Sequence, residues 1–289
     1  MDYVNPKEVL QNMIEGGQAK AELTAGELLV RGALGGAILA CATTLAFTAS
    51  AQTQIPVAGA VLFPVGFIMI VLLGLELVTG SFALIPLAVL EKRTSLSRML
   101  RNYLWVIIGH LIGCLAYAGL DALVLTKMGH DMSSPVIQSI ISASESKTTA
   151  YKSLGGSGLE LVFVKAILCN WMVTLGVVMA MTSKSTLGKI AAMSLPIITF
   201  FAQGFEHAVV NMFVIPAGMM LGAHVSMGDW WLWNQLPVLA GNFIGGALFT
   251  GILLYVALGR GRNKFKEAEG TLVKTELTGL KLAGTEEQA

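Results

Sequence analysis

The sequence predicts an all-α polytopic membrane protein of six spanning helices, arranged as inverted three-helix repeats with broken second and fifth helices. Three observations lead there: charge is scarce, long apolar stretches recur, and two of those stretches are overlong and interrupted at matching places. Of the 289 residues, 54% are hydrophobic and only 13% charged, against about 25% charged in an average soluble domain. Mean hydropathy is +0.69, so lipid is the main solvent. A net charge of +1 provides no basic footprint for nucleic acid.

The first element is a segment over 1–23, whose residues 5–22 (Asn5-Pro6-Lys7-Glu8 onward) read either as a short amphipathic helix at the inner surface or as a solvated leader. The first apolar run begins only near Leu28, behind acidic and polar residues, so no cleavable signal peptide is expected. The transmembrane unit is expected over 24–259. A helix needs about 20 apolar residues to cross the hydrocarbon core, and four segments supply them, roughly 24–50, 103–126, 161–182 and 236–258.

Two stretches behave differently. Pro56 to Leu90 is interrupted by Gly74-Leu75-Glu76-Leu77-Val78-Thr79-Gly80-Ser81, and Ile190 to Ala223 by Gln203-Gly204-Phe205-Glu206-His207. As straight rods each reaches about 50 Å at 1.5 Å per residue, far beyond the bilayer. Cut into separate spans, most of the pieces are too short to cross. Two broken helices, second and fifth of six, fit best, and paired breaks at equivalent places point to an inverted repeat with its site near the midplane.

The loops set the orientation. With the N-terminus inside, the inner segments collect Lys7, Lys20, Lys92, Arg93, Arg98, Arg101, Lys184 and Lys189, together with Arg260, Arg262, Lys264, Lys266, Lys274 and Lys281 of the tail. The other side holds Lys127, Lys147 and Lys152 in one long loop. This bias predicts a multi-pass protein of the cell (plasma or inner) membrane with both termini cytoplasmic. The final stretch, 260–289, is charged and lacks a wide apolar face, so it is expected to be a mobile tail.

Polar and ionisable groups at bilayer depth mark substrate paths by default, which singles out the acid Glu206, the imidazole of His207 and the amide of Asn211. His207 and Asn211 are four apart, hence on one face if a helix resumes after Gly204. Asn170 and Asn242 must also meet polar partners. Asn170 is the better pore candidate, and Asn242, beside Gly241, Gly245 and Gly246, the better helix–helix glue. His110, flanked by Gly109 and Gly113, reads as packing. Arg31 and Lys165 are read near helix ends, where they snorkel, and Lys165 can also draw anions toward a pore mouth. Phe63, Phe67, Leu77, Val78 and Phe200 flank the breaks and are candidates for hydrophobic constrictions.

Cys41, Cys114 and Cys169 lie in apolar segments with neither a disulfide framework nor zinc spacing. No phosphate-binding loop, nucleophile elbow or zinc-protease motif is present. No enzymatic activity, cofactor or metal is therefore expected, and a gradient-driven carrier or channel remains.

Four motifs, Glu76-Leu77-Val78-Thr79-Gly80-Ser81, Ile167-Leu168-Cys169-Asn170-Trp171, Gly204 through Phe213, and Gly241-Asn242-Phe243-Ile244-Gly245-Gly246, together resemble the formate/nitrite transporter family across residues 5–262. The resemblance implies an aquaporin-like protomer assembled as a homopentamer, with one pore in each copy. By position it gives His207 the place of the central pore histidine, Thr79 that of the threonine on the second-helix break, and Asn170 that of the polar residue beside them. It places Phe63, Phe67 and Phe200 at the outer constriction and Leu77 and Val78 at the inner one. Val78 stands where many members carry Phe, which implies a wider or softer inner constriction. Lys152 and Lys165 are the two candidates for the lysine that attracts anions from outside, neither at the usual spacing. The implied activity is proton-coupled passage of a small monovalent anion, nitrite ahead of formate, crossing the constrictions as the neutral acid. Hydrosulfide, bicarbonate, or water and other neutral small solutes are the alternatives.

Overall fold

A computed structural model describes residues 2–259, and its described residues form helices with no strand, apart from one isolated bridge between Tyr3 and Ser183. The tail expected over 260–289, with its basic residues, lies outside the described residues. Helix α1 (Pro6–Glu22) opens with Asn5, whose side chain accepts the Lys7 N–H at 3.0 Å, and with Pro6, whose missing N–H costs nothing in a first turn. Its Val9, Leu10, Met13 and Ile14 are buried against Leu84, Leu87 and Val178, so the apolar face expected at the membrane surface packs on protein. Helix α2 (Ala25–Thr53) begins at a capping box between Thr24 and Glu27 and is long enough to span.

The second span is broken twice. Helices α3 (Pro56–Leu62) and α4 (Pro64–Leu72) form one rod with a joint at Phe63, because Pro64 cannot donate to the helical ladder. A short non-helical turn follows, and α5 (Val78–Leu90) completes the crossing. Helix α6 (Leu96–Leu125), capped by Ser95, is the third span. The long distal loop contains α7 (Pro135–Ser146) and the single turn α8 (Thr149–Ser153).

The second half repeats the plan. Helix α9 (Gly156–Ala180) spans, and α10 (Thr186–Ala202) and α11 (Ala208–Met220) are the halves of the broken fifth helix. The sixth rod, Met227–Gly259, comprises α12 (Met227–Trp230), α13 (Leu236–Ile244) and α14 (Leu253–Gly259), joined by π-helical turns at Trp231–Gln235 and Gly245–Ile252. Among the described residues, four continuous and two broken helices thus give the six spans. Leu104, Leu120, Val164 and Leu248 are among the apolar side chains left exposed on the outside of the bundle, where lipid is the solvent.

Small residues set the seams. First and third helices of each half lie close: α2 against α6, and α9 against α13. A Cβ on Gly113 would overlap the Ala33 carbonyl, and one on Gly245 would overlap the Ile167 carbonyl. Apolar side chains gain little by leaving lipid for protein, so such seams hold by close backbone packing. Gly113→Ala is therefore expected to cost about 1–3 kcal/mol, read as a lower thermal midpoint in detergent. Gly119→Ala, on the same helix with open space around it, is expected to leave the midpoint unchanged or slightly raised.

Candidate functional site

Both breaks are built by one local recipe. After α4, Gly74 takes a left-handed φ of 63° and the Leu75 N–H returns to the Ile70 carbonyl; after α10, Gly204 has φ 63° and the Phe205 N–H returns to the Phe200 carbonyl. Such a terminator favours glycine because a Cβ resists positive φ. Three residues beyond each glycine, Leu77 and His207 are extended and cap α5 and α11. Gly74, Glu76, Leu77, Val78 and Ser81 therefore correspond to Gly204, Glu206, His207, Ala208 and Asn211.

The two resumed helices meet N-terminus to N-terminus. Thr79, second residue of α5, places its Oγ1 3.0 Å from His207 Nε2 at the cap of α11. His207 Nδ1 accepts the Val210 N–H at 3.2 Å. An accepting Nδ1 carries no hydrogen, so this geometry is that of the neutral ring with its hydrogen on Nε2. Nε2–H then donates to Thr79 Oγ1, and the threonine hydroxyl hydrogen is left to offer to a passing group. Both helix dipoles aim their positive ends at this point, a place suited to developing negative charge.

Aromatic rings cover one side of the imidazole. Phe200 stacks on His207 with centroids 5.6 Å apart, Phe63 meets Phe200 edge-on at 5.7 Å, and Phe201 stacks on Phe63 at 4.1 Å. A cavity of about 750 Å³ on the face that carries α1 is lined among others by Phe67, Leu77, Gly80, Lys20 and Lys189. Phe67 thus stands with Leu77 and not with Phe63, a correction to the expected outer set. Four residues past Phe63, it lies one helical turn deeper, about 6 Å along the rod. Val78 is fully buried in the core and is absent from the lining of that cavity.

Asn170 sits where the halves meet: its Nδ2 donates to the Thr79 carbonyl at 3.0 Å and to the Asn242 carbonyl at 2.6 Å. Its Oδ1 is buried without a hydrogen-bond partner among the described residues. Asn242 is more than glue. Its Oδ1 accepts the first N–H of α11, from Ala208, at 2.9 Å, and its Nδ2 donates to the carbonyls of Ala166 and Glu206.

The structure parts Glu206 and Asn211 from the imidazole. Glu206, 2% exposed, is held by Lys147 Nζ at 2.9 Å, Tyr151 OH at 2.8 Å, and Asn211 Nδ2 at 2.8 Å, with Asn234 Nδ2 at 3.3 Å. Asn211 also donates to Asn234 Oδ1. The cap geometry explains the separation, because His207 is extended and lies outside the helical register that the i, i+4 rule assumes. Glu76, also 2% exposed, is the counterpart at the first break, held by Lys20 Nζ at 2.8 Å and by Ser81 Oγ. Lys147, Tyr151, Asn234 and Lys20 were not singled out from the sequence, although the repeated Gly-x-Glu spacing marks the carboxylates that needed them.

Lys152 pairs with Asp229 at 2.7 Å and is half exposed. Lys165 does not begin a helix: it lies well inside α9, with Nζ 5.8 Å from the centre of the Tyr151 ring, within cation–π range. Arg31 is also inside its helix, near Glu27 at 3.4 Å. Among the described residues no group of three or more His, Cys, Asp or Glu could hold a metal ion.

Comparison with known proteins gives a consistent result. Residues 7–256 match the formate/nitrite transporter family. The chain is 34% identical to YrhG, an uncharacterized transporter of Bacillus subtilis (strain 168), over 89% of this chain and 94% of that one. It is 33% identical to a probable formate transporter of Methanothermobacter thermautotrophicus, over 82% and 91%. Its fold is similar to that of a solved pentameric formate channel with formate bound, with a TM-score of 0.66, 22% identity, and coverage of 81% and 97%.

The two ion pairs involving Lys147 and Lys152 have different expected worth. Lys147→Met strips a cation from a buried carboxylate and is expected to cost about 3–5 kcal/mol, whereas Lys152→Met, which removes a half-exposed lysine from an Asp229 that keeps its Ser226 hydrogen bonds, is expected to cost about 0–1 kcal/mol. Thermal midpoints of the two variants in one detergent check the ranking.

Proposed function

Because the chain belongs to the formate/nitrite transporter family, we propose that it moves a small monovalent anion, formate or nitrite, across the membrane together with a proton. The observation that carries this reading is the neutral His207 ring, linked to Thr79 where two helix N-termini meet and covered by the Phe200 and Phe63 rings.

An anion stripped of water in an apolar passage meets a desolvation cost on the order of tens of kcal/mol in the Born limit. Two converging helix N-termini offset part of it. A proton removes most of the rest by making the neutral acid. The groups left over at the centre suit such an acid: the Thr79 hydroxyl hydrogen is a donor for its carbonyl-type oxygen, and Asn170 Oδ1 is an acceptor for its O–H. With Nδ1 engaged by Val210, His207 polarises this pair from the neutral state, and donating a proton as imidazolium would first require breaking that cap.

Orientation follows the basic residues. The face bearing α1 is the cytoplasmic one, with both termini inside, in the cell membrane. Lys165, at the Tyr151 ring on the distal side, is then the better placed lysine to attract anions, since Lys152 is already paired. The similar solved channel is a pentamer, and the apolar flanks of this protomer fit a homopentamer with a pore in each copy. The relative named for formate moves the preference from nitrite to formate.

The test is uptake into proteoliposomes of formate, nitrite, bicarbonate and hydrosulfide at two pH values. Formate or nitrite uptake that alkalinises the outside medium is expected. His207→Phe is expected to lower it by about 10²-fold, and Thr79→Val by about tenfold. Wild-type proton-coupled uptake by His207→Phe would overturn the role of the ring. Formate or nitrite flux without alkalinisation would mean passage of the bare anion and overturn the proton coupling. Absence of any anion uptake beside water flux points to a neutral-solute channel, and preference for bicarbonate or hydrosulfide reassigns the substrate.

A further inference from the structure

His110 is fully buried on α6, apart from the aromatic cap and from the cavity lining. Both of its ring nitrogens are nevertheless committed. Nδ1 lies 2.7 Å from the Gly32 carbonyl, which can only accept, so Nδ1 carries the hydrogen. Nε2 is then a free acceptor, and it takes the Val78 N–H at 3.1 Å. That N–H is the first of α5, one of the groups left without an intrahelical partner when the helix restarts inside the membrane.

Asn242 does the same work in the other half. Its Oδ1 takes the Ala208 N–H, the first of α11, at 2.9 Å, and its Nδ2 donates to the Ala166 carbonyl at 2.8 Å. Each side chain stands on the third helix of its half, reaches the first helix of that half, and caps the broken one. The backbones are drawn close around His110: a Cβ on Gly35 would overlap the Glu76 carbonyl and come within 3.5 Å of His110 Cε1.

We propose that His110 is a positioning residue for transport, the counterpart of Asn242, which holds the N-terminus of α5 so that Thr79 meets His207. It acts through Val78, one residue before Thr79, and touches no substrate. What the place requires is one donor and one acceptor on a single side chain, which an amide also supplies. Leucine would fill the volume but leave the Val78 N–H unpaired in an apolar interior and the Gly32 carbonyl with only its own helical bond.

The proposal rests on the transport reading and is tested beside it. His110→Leu, His110→Asn, His110→Gln, Thr79→Val and the double variant His110→Leu/Thr79→Val are reconstituted, and formate and nitrite uptake is measured per folded protein. His110→Leu is expected to lower the maximal rate about tenfold, with a smaller change in KM, because a displaced Thr79 affects passage more than arrival. His110→Asn or His110→Gln is expected to restore the rate to within about threefold of wild type, and the double variant to be no slower than Thr79→Val, because the two act in series.

Wild-type rates in His110→Leu, amide variants as slow as the leucine one, or multiplied losses in the double variant would each overturn it. Should the leucine variant fail to fold, His110→Asn decides: near wild-type uptake supports the assignment and a tenfold loss ends it. Wild-type vesicles that take up neither anion reject the transport reading itself, and this proposal with it.

Discussion

A helix that stops and restarts inside a membrane leaves backbone N–H groups with no water to meet them, and this fold is organised around satisfying those groups twice. The first N–H of α5 goes to His110 and the first of α11 to Asn242, while the Val210 N–H goes to His207 itself. The capping side chains come from α6 and α13, so the third helix of each half must lie close against both the first helix and the break. Glycines at Gly35, Gly113 and Gly245 allow that approach, because a Cβ at any of them would overlap a neighbouring carbonyl. Capping, seam and site are one arrangement.

The same arrangement explains the two buried glutamates. Each break exposes a carboxylate two residues past its glycine, and each is answered by a lysine from a peripheral segment: Lys20 of α1 for Glu76, and Lys147 of the long distal loop for Glu206. Removing one partner of such a pair leaves an uncompensated charge in an apolar interior, which is more costly than never having built the pair. The peripheral segments are thereby fastened to the turns that carry the central groups. Helix α1 and the α7–α8 loop serve equivalent ends of the two halves.

Chemistry resides where the repeat is imperfect. The cap of α5 is Leu77 and the cap of α11 is His207, so only one imidazole reaches the centre. Its Nδ1 is engaged by its own helix and its Nε2 by Thr79 of the opposite half, which fixes the neutral tautomer through geometry. Asn170 binds the Thr79 carbonyl and the Asn242 carbonyl together, linking α5, α9 and α13 around that contact.

Hydropathy and glycine placement alone determined the six spans, the two breaks and the opposed halves, because crossing length and left-handed turns depend on local residue type, and four residue motifs carried the resemblance to the family. His207 and Asn170 stood out as polar side chains within apolar runs, and the resemblance added Thr79; the structure joins the three through hydrogen bonds. Tertiary structure alone decided the partners. It moved Phe67 to the cavity side, turned Asn211 toward Glu206, made His110 a cap, and took Lys152 to Asp229. These contacts join residues far apart in the chain, and which face of a helix meets which neighbour depends on seams between backbones that no local pattern encodes.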